Sequence, residues 1–195
     1  MAKYQDSSAL LLEDLPNEIL LKIFSYLDIS DIIHCGQMSK RFRKISHDEL
    51  LWQKVNLSHR TVTSEFLKFI LDNVGCKYLS LHFATLTGNL SLNKPSQLRY
   101  LDLAQDLSSS PTKRSTANNQ VYEELISSTY SLQKLSFFNK SRKERLWVSC
   151  PGWPLSPTVI TRFSYQNGKS LNELYLAEVE LSFESLKTII DKSLL

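Results

Sequence analysis

Catalysis without a bound group begins with histidine, cysteine and paired carboxylates, so those residues come first. The chain has four histidines, His34, His47, His59 and His82, and three cysteines, Cys35, Cys76 and Cys150. His34 and Cys35 are the one adjacent His–Cys pair. A nucleophilic thiol needs its base within hydrogen-bond reach, and neighbours on a helix point in different directions. No GxSxG, HExxH or phosphate-cradling glycine loop occurs in a chain with only five glycines. No two cysteines have CxxC spacing, which removes the usual zinc site. The odd count and wide spacing argue against a disulfide framework and for a reducing compartment. The residue types therefore predict no catalytic residue, no metal and no cofactor. What remains is binding.

Binding chemistry is concentrated in two patterns. The first is LPNEILLKIFSYL, residues 15 to 27, with seven Leu, Ile or Phe and one Tyr in thirteen positions. Pro16 suits a first helical turn, where its missing N–H is not needed. Ile19, Leu20, Ile23, Phe24 and Leu27 fall on one helical face, and Leu21 lies off it. Ser30 reads as the cap of a second helix through Ile32, Ile33 and Met38, and Ser39 as the cap of a third, KRFRKIS, with Phe42 and Ile45 inward. The segment DELLWQKVNLS follows. The first 52 residues read as three or four short helices on tight turns.

The second pattern is an internal repeat. LxxLxL recurs as WQKVNL (52–57), CKYLSL (76–81), LRYLDL (98–103), LQKLSF (132–137) and LNELYL (171–176). Taking the fourth position as register, Val55 to Leu79 is 24 residues, Leu79 to Leu101 is 22, Leu101 to Leu135 is 34 and Leu135 to Leu174 is 39. The first two intervals have the period of leucine-rich repeats, and the last two add insertions of roughly ten to fifteen residues. Helix candidates lie between the hexamers: TSEFLKFILDNVG, NNQVYEELISSTY, SPTVITRFSYQNG, and SFESLKTIIDK with Phe183, Leu186, Ile189 and Ile190 as its apolar face. The interval 82–97 offers none. Strand and helix alternating at this period predict a solenoid, parallel strands concave and helices convex.

Leucines in such a template point inward, and the residues between them point out from the strands. Tyr78, His82, Tyr100, Asp102, Phe138 and Tyr175 are the candidate binding residues of that face. Segments 106–119 and 139–157 read as loops, the first with Ser110-Pro111-Thr112-Lys113, the pattern of a proline-directed phosphorylation site at Ser110. Trp147 and Trp153 in the second are candidates to cover an edge or form a docking knob. The chain stops at KSLL, where another LxxLxL would begin, so the sequence reads as a fragment, a short form or a solenoid with a bare edge.

Residues LPNEILLKIFSYLDISDI, QMSKRFRKIS and LLWQKV together resemble an F-box followed by leucine-rich repeats. Leu15, Pro16, Glu18, Ile19, Leu20, Ile23, Phe24 and Leu27 match the opening of the F-box pattern, and Leu51-Trp52 its close. Met38-Ser39-Lys40-Arg41-Phe42 departs from the usual Val-Cys-Lys-Arg-Trp by apolar swaps. The resemblance implies an α+β protein: a flexible arm over 1–12, a three- to four-helix F-box over 13–55 and a short, truncated α/β repeat solenoid over 56–195. It implies docking on the Skp1 adaptor of a cullin–RING ubiquitin ligase, with Leu15, Pro16, Ile19, Ile23, Phe24, Leu27 and Trp52 forming or supporting the adaptor face. The repeats would hold protein targets. The chain would be a non-catalytic specificity subunit, or, as the alternative, a repeat scaffold that binds Skp1 or another partner without promoting ubiquitin transfer.

Composition agrees with a folded chain. Hydrophobic residues make up 42% and charged residues 22% of 195 positions. A net charge of +3 falls short of a dedicated nucleic-acid binder, and the 140–145 basic run is its sole pointer that way. No signal peptide or membrane-length apolar run is present. The expected setting is soluble, in cytoplasm, nucleus or both.

Overall fold

The computed structural model describes residues 12–103, 116–137, 157–176 and 183–193. The chain forms two compact units, Met1–Leu51 and Trp52–Leu195. The division falls ahead of the expected 55/56 boundary, because Trp52 is packed into the second unit.

The first unit is helical. A single 3₁₀ turn, Leu12–Asp14, leads to α1 (Asn17–Phe24), α2 (Ile29–Met38), α3 (Lys40–Ser46) and α4 (Glu49–Trp52), whose last residue opens the second unit. Pro16 stands at the mouth of α1 with φ −56°, and its carbonyl accepts from Ile19 and Leu20 N–H at 3.1 and 3.0 Å. Asp28, not Ser30, occupies the cap position of α2, so that helix starts earlier than the spacing suggests. Ser39 caps α3: its hydroxyl accepts from Phe42 N–H at 3.1 Å. Leu20, Phe24, Phe42 and Ile45 form a buried cluster, with Leu15, Leu21, Ile23, Leu27, Cys35 and Leu51 packed around it. Phe24 meets Phe42 edge to face at 5.6 Å. Gly36 permits the close approach of α2 and α3, since a Cβ there would run into the buried Ser46 hydroxyl.

The second unit turns the repeat into a sheet. Its strands are β1 (Lys54–Asn56), β2 (Thr61–Thr63), β3 (Tyr78–Ser80), β4 (Thr85–Thr87), β5 (Tyr100–Asp102), β6 (Lys134–Phe137) and β7 (Glu173–Leu176). The five hexamers supply a five-stranded parallel sheet in the order β1-β3-β5-β6-β7. Val55, Leu79, Leu101, Leu135 and Leu174 stand in register across it, so the fourth template position becomes one continuous row. The first four of that row are buried and Leu174 is half-buried. The ladder continues past the strands, with Leu57 N–H donating to Ser80 O, Leu81 N–H to Asp102 O and Leu103 N–H to Ser136 O at 2.8 to 2.9 Å.

Helices fill the intervals between hexamers. α5 (Ser64–Lys68) is capped by Thr63, runs into a π-helical turn at Phe69–Asn73, and is followed by Gly75 at φ 67°, a left-handed position that suits glycine. α6 (Thr116–Ser127) buries Val121, Tyr122, Leu125 and Ile126, and α7 (Pro157–Asn167) buries Ile160 and Phe163. The first turn of α6 takes in residues 116–119 of the expected loop. The interval 82–97 has no helix. It holds β4, which pairs in parallel with β2, a second small sheet that the spacing did not reveal. α8 (Phe183–Ser193) departs from expectation: Ile189 is buried, but Phe183 is 81% exposed and Leu186 and Ile190 are exposed as well. Periodicity identifies an apolar stripe but not whether a neighbour covers it.

Candidate functional site

Two surfaces carry binding chemistry, one in each unit. In the helical unit the small core cannot take every apolar side chain. Phe24 is buried, and Leu15, Ile23 and Leu27 are half-buried against the cluster, so these nominated residues support the unit more than they face solvent. Pro16 and Ile19 are exposed. Trp52 is a correction: it is 1% exposed and lies in the core of the second unit, where Phe66 and Phe69 meet its ring at 6.1 and 5.5 Å. It therefore has no surface to offer a partner.

Four exposed apolar side chains were missed. Leu12, Tyr26, Met38 and Leu50 stand out with Ile19, Tyr26 at 76% and Met38 at 72% exposure. Tyr26 lies seven residues after Ile19, with Lys22 between them holding its ammonium 5.0 Å from the Tyr26 ring centre. The i, i+3, i+7 spacing was the available signal. Arg41 of α3 ties down the chain entering α1, donating from Nε to Asn17 Oδ1 at 2.9 Å and from its other nitrogens to the carbonyls of Glu13 and Leu15.

In the second unit the outward face of the parallel sheet forms an open groove of about 480 Å³, lined by residues of β1, β3, β5 and β6. The register sorts its side chains into rows. One row runs Lys54, Tyr78, Tyr100, Lys134, Glu173; the next runs Asn56, Ser80, Asp102, Ser136. Tyr78 and Tyr100 stack in parallel with centroids 4.2 Å apart. Lys54 Nζ lies 5.3 Å from the Tyr78 ring centre, and Lys134 Nζ donates to Glu173 Oε2 at 2.6 Å. The stack pushes the Tyr100 hydroxyl above its ordinary pKa, chiefly because its ionised form would face Tyr78. In the second row Ser80 Oγ donates to Asp102 Oδ2 at 3.2 Å, and Ser58 Oγ lies 3.3 Å from Ser80 Oγ. His82 Nδ1 stands 3.7 Å from the same Asp102 oxygen.

The structure thus brings Tyr78, His82, Tyr100 and Asp102 together on one face. Tyr175 falls in β7 in register with Ser136, with only its backbone described. Phe138, Ser110, Trp147, Trp153, Cys150 and the 140–145 basic run lie outside the described residues. Sequence reasoning missed the rim formed by His59 and Phe83. Both have positive φ, 59° and 54°, and their rings lie 5.2 Å apart, with Phe83 edge-on to His82 at 4.3 Å. The 24-residue repeat puts them at equivalent positions, which was the one signal for them.

Cys76 is fully buried, its thiol donating to Tyr78 O at 3.2 Å, and burial pushes its pKa up to about 12. A thiol held protonated is a poor nucleophile. Among the described residues no group of three His, Cys, Asp or Glu is placed to hold a metal ion.

Residues 12–58 match the F-box-like family model. Over 70 residues the chain is 39% identical to the ubiquitin ligase complex F-box protein UFO1 of Saccharomyces cerevisiae, covering 33% of this chain and 10% of the relative. It is 30% identical over 86 residues to F-box only protein 36 of Mus musculus, covering 44% and 43%. Over 41 residues it is 46% identical to F-box only protein 15 of Homo sapiens, covering 21% and 8%. The chain spans less than half the length of each of these relatives. It carries an F-box-like region at 12–58, followed by mixed α/β structure.

Proposed function

We propose that this chain is the target-recognition subunit of a Skp1–cullin–F-box ubiquitin ligase, docking on Skp1 through its helical unit and holding a protein target on its sheet. The observation that carries the reading is the imbalance of the helical unit. It buries Leu20, Phe24, Ile32, Phe42 and Ile45, while Leu12, Ile19, Tyr26, Met38 and Leu50 stay exposed. A unit of this size has too small a core to stand easily alone, and five large apolar side chains left exposed on it are candidates for burial against a partner. The F-box-like match over the same residues supports Skp1 as the partner.

We read the second unit as a short leucine-rich-repeat solenoid. Five LxxLxL hexamers in register as parallel strands, with helices in the intervals, support that reading. The mechanism is proximity. The helical unit fixes the sheet on the adaptor, and a bound target's lysine is held near the ubiquitin-charged enzyme of the assembly, raising its effective concentration. The chain itself makes and breaks no bond.

The test is a pull-down of the chain on purified Skp1, beside Ile19→Ala/Met38→Ala/Leu50→Ala. These exposed positions can be truncated without opening a cavity. The parent should bind, and the triple variant should bind on the order of thirtyfold more weakly, as for loss of a hot spot, with unchanged helical circular dichroism. Failure of the parent to bind Skp1 removes the ligase reading.

A further inference from the structure

We propose that the sheet groove takes an extended target segment through an arginine side chain seated on Asp102. The inference rests on reading the sheet face as the target surface and adds the chemistry of what it selects.

The argument is one of charge. The groove is lined by Lys54, Lys134 and Asp102, with Glu173 in register beside Lys134. Lys134 is paired with Glu173 at 2.6 Å. Lys54, on the outermost strand, lies over the Tyr78 ring. Asp102 is engaged through one of its two oxygens. It sits on β5, the middle strand of five, with its side chain 39% exposed. Its Oδ2 receives the Ser80 hydroxyl and has His82 Nδ1 at 3.7 Å, while Oδ1 takes no hydrogen bond from a described residue. A chain of net charge +3 thus presents, at the centre of its groove, a carboxylate with one oxygen that takes no hydrogen bond from the described residues.

The surroundings favour arginine over other cations. Beside Asp102 on the same strand is Tyr100, already stacked on Tyr78, and opposite it on β6 is Ser136. A planar guanidinium can bond a carboxylate with one edge, offer further N–H groups to a hydroxyl, and pack against an aromatic side chain. A lysine ammonium is a compact, strongly hydrated charge with three donors and gains less from this set. An acidic or phosphorylated segment would meet Asp102 head-on, where like charges brought together cost affinity.

The probe is an immobilised library of unphosphorylated dodecapeptides, degenerate except for one central position fixed as Arg, Lys, Glu or Leu. The full chain is applied, beside Asp102→Asn and Tyr78→Ala/Tyr100→Ala. The Arg set should bind at least about tenfold more tightly than the Leu set, with Lys between them and Glu weakest. Asp102→Asn, which keeps the shape and an acceptor for Ser80, should abolish the preference for Arg while residual binding persists. If the parent does not prefer Arg, or the preference survives in Asp102→Asn, the inference is overturned. The tyrosine variant separates that result from the wider reading. Binding that ignores Asp102 but falls in the tyrosine variant leaves the sheet face standing as the target surface. Binding indifferent to both, or no retention of any set, removes both.

Discussion

At the scale of single residues, the second unit depends on buried polar side chains that complete the backbone's hydrogen bonding. Asn167 is fully buried at the end of α7. Its Oδ1 accepts from Leu132 N–H at 2.9 Å, and its Nδ2 donates to Thr129 O at 2.9 Å, to Thr129 Oγ1 at 3.1 Å and to Phe163 O at 3.2 Å. It thereby fixes the segment that enters β6. Asn167→Ala would strand a buried N–H and remove donors from a buried carbonyl. We expect a loss of about 3 kcal/mol, since each buried group left unpaired costs about 1–3 kcal/mol. Urea unfolding followed by far-ultraviolet circular dichroism checks this; a change below about 1 kcal/mol would mean that water replaces the amide. The groove residues answer to the opposite logic. Tyr78, Tyr100 and Asp102 stand on the outward face of the sheet, so truncating them should change binding far more than stability.

At the scale of elements, close approach decides which helices can pack. Gly168 follows α7, and a Cβ there would lie 2.7 Å from Ser164 O and well inside contact with the Lys192 carbonyl near the end of α8. Neither is a flexible side-chain end, so neither can swing aside. Gly168→Ala should push α8 from its seat, costing about 1–3 kcal/mol as overpacking does. Limited proteolysis should cut within 183–193 sooner in the variant than in the parent; equal cutting times would show that the backbone absorbs the extra methyl. α8 is poised for such sensitivity, because Ile189 and Ser185 are buried while Phe183, Leu186 and Ile190 are exposed. The Gly36 contact between α2 and α3 differs in kind: the atom met is a serine hydroxyl, which a rotamer change can move.

At the scale of the whole chain, the two units have separate cores. The helical cluster of Leu20, Phe24, Phe42 and Ile45 draws only on residues of the first unit. Leu20→Ala should remove about 2–5 kcal/mol from that unit, a large part of what so small a core can supply. Hydrogen exchange read by mass spectrometry should then speed up across α1, α2 and α3. The amides of β3 and β5, whose Leu79 and Leu101 are buried in the second unit, should keep their protection. Equal acceleration in those strands would show one cooperative fold in place of two. On the proposed docking, the same variant should bind Skp1 more weakly through loss of the ordered unit, a route distinct from the exposed-residue variant, whose fold should stay intact.

How much of this was legible beforehand follows from which forces are local. Ser39 could be named as a cap, and the hexamers as strands in register, because capping and period-two burial are decided within a few residues. The F-box-like pattern was legible for the same reason: it is a spacing within one short segment. Burial against distant residues was not. Trp52 read as part of an adaptor face, yet the phenylalanines of the next helix enclose it. Met38 read as an apolar position of the second helix and is exposed, and the apolar face of α8 is mostly open. The β2–β4 pair, the left-handed His59 and Phe83, and the Ser80 and His82 neighbours of Asp102 exist only because repeats 24 and 22 residues apart lie side by side. Sequence periodicity determined which side chains share a face of their own element. Only the tertiary structure decided which faces meet, because burial belongs to the pair of surfaces in contact and neither surface encodes it alone.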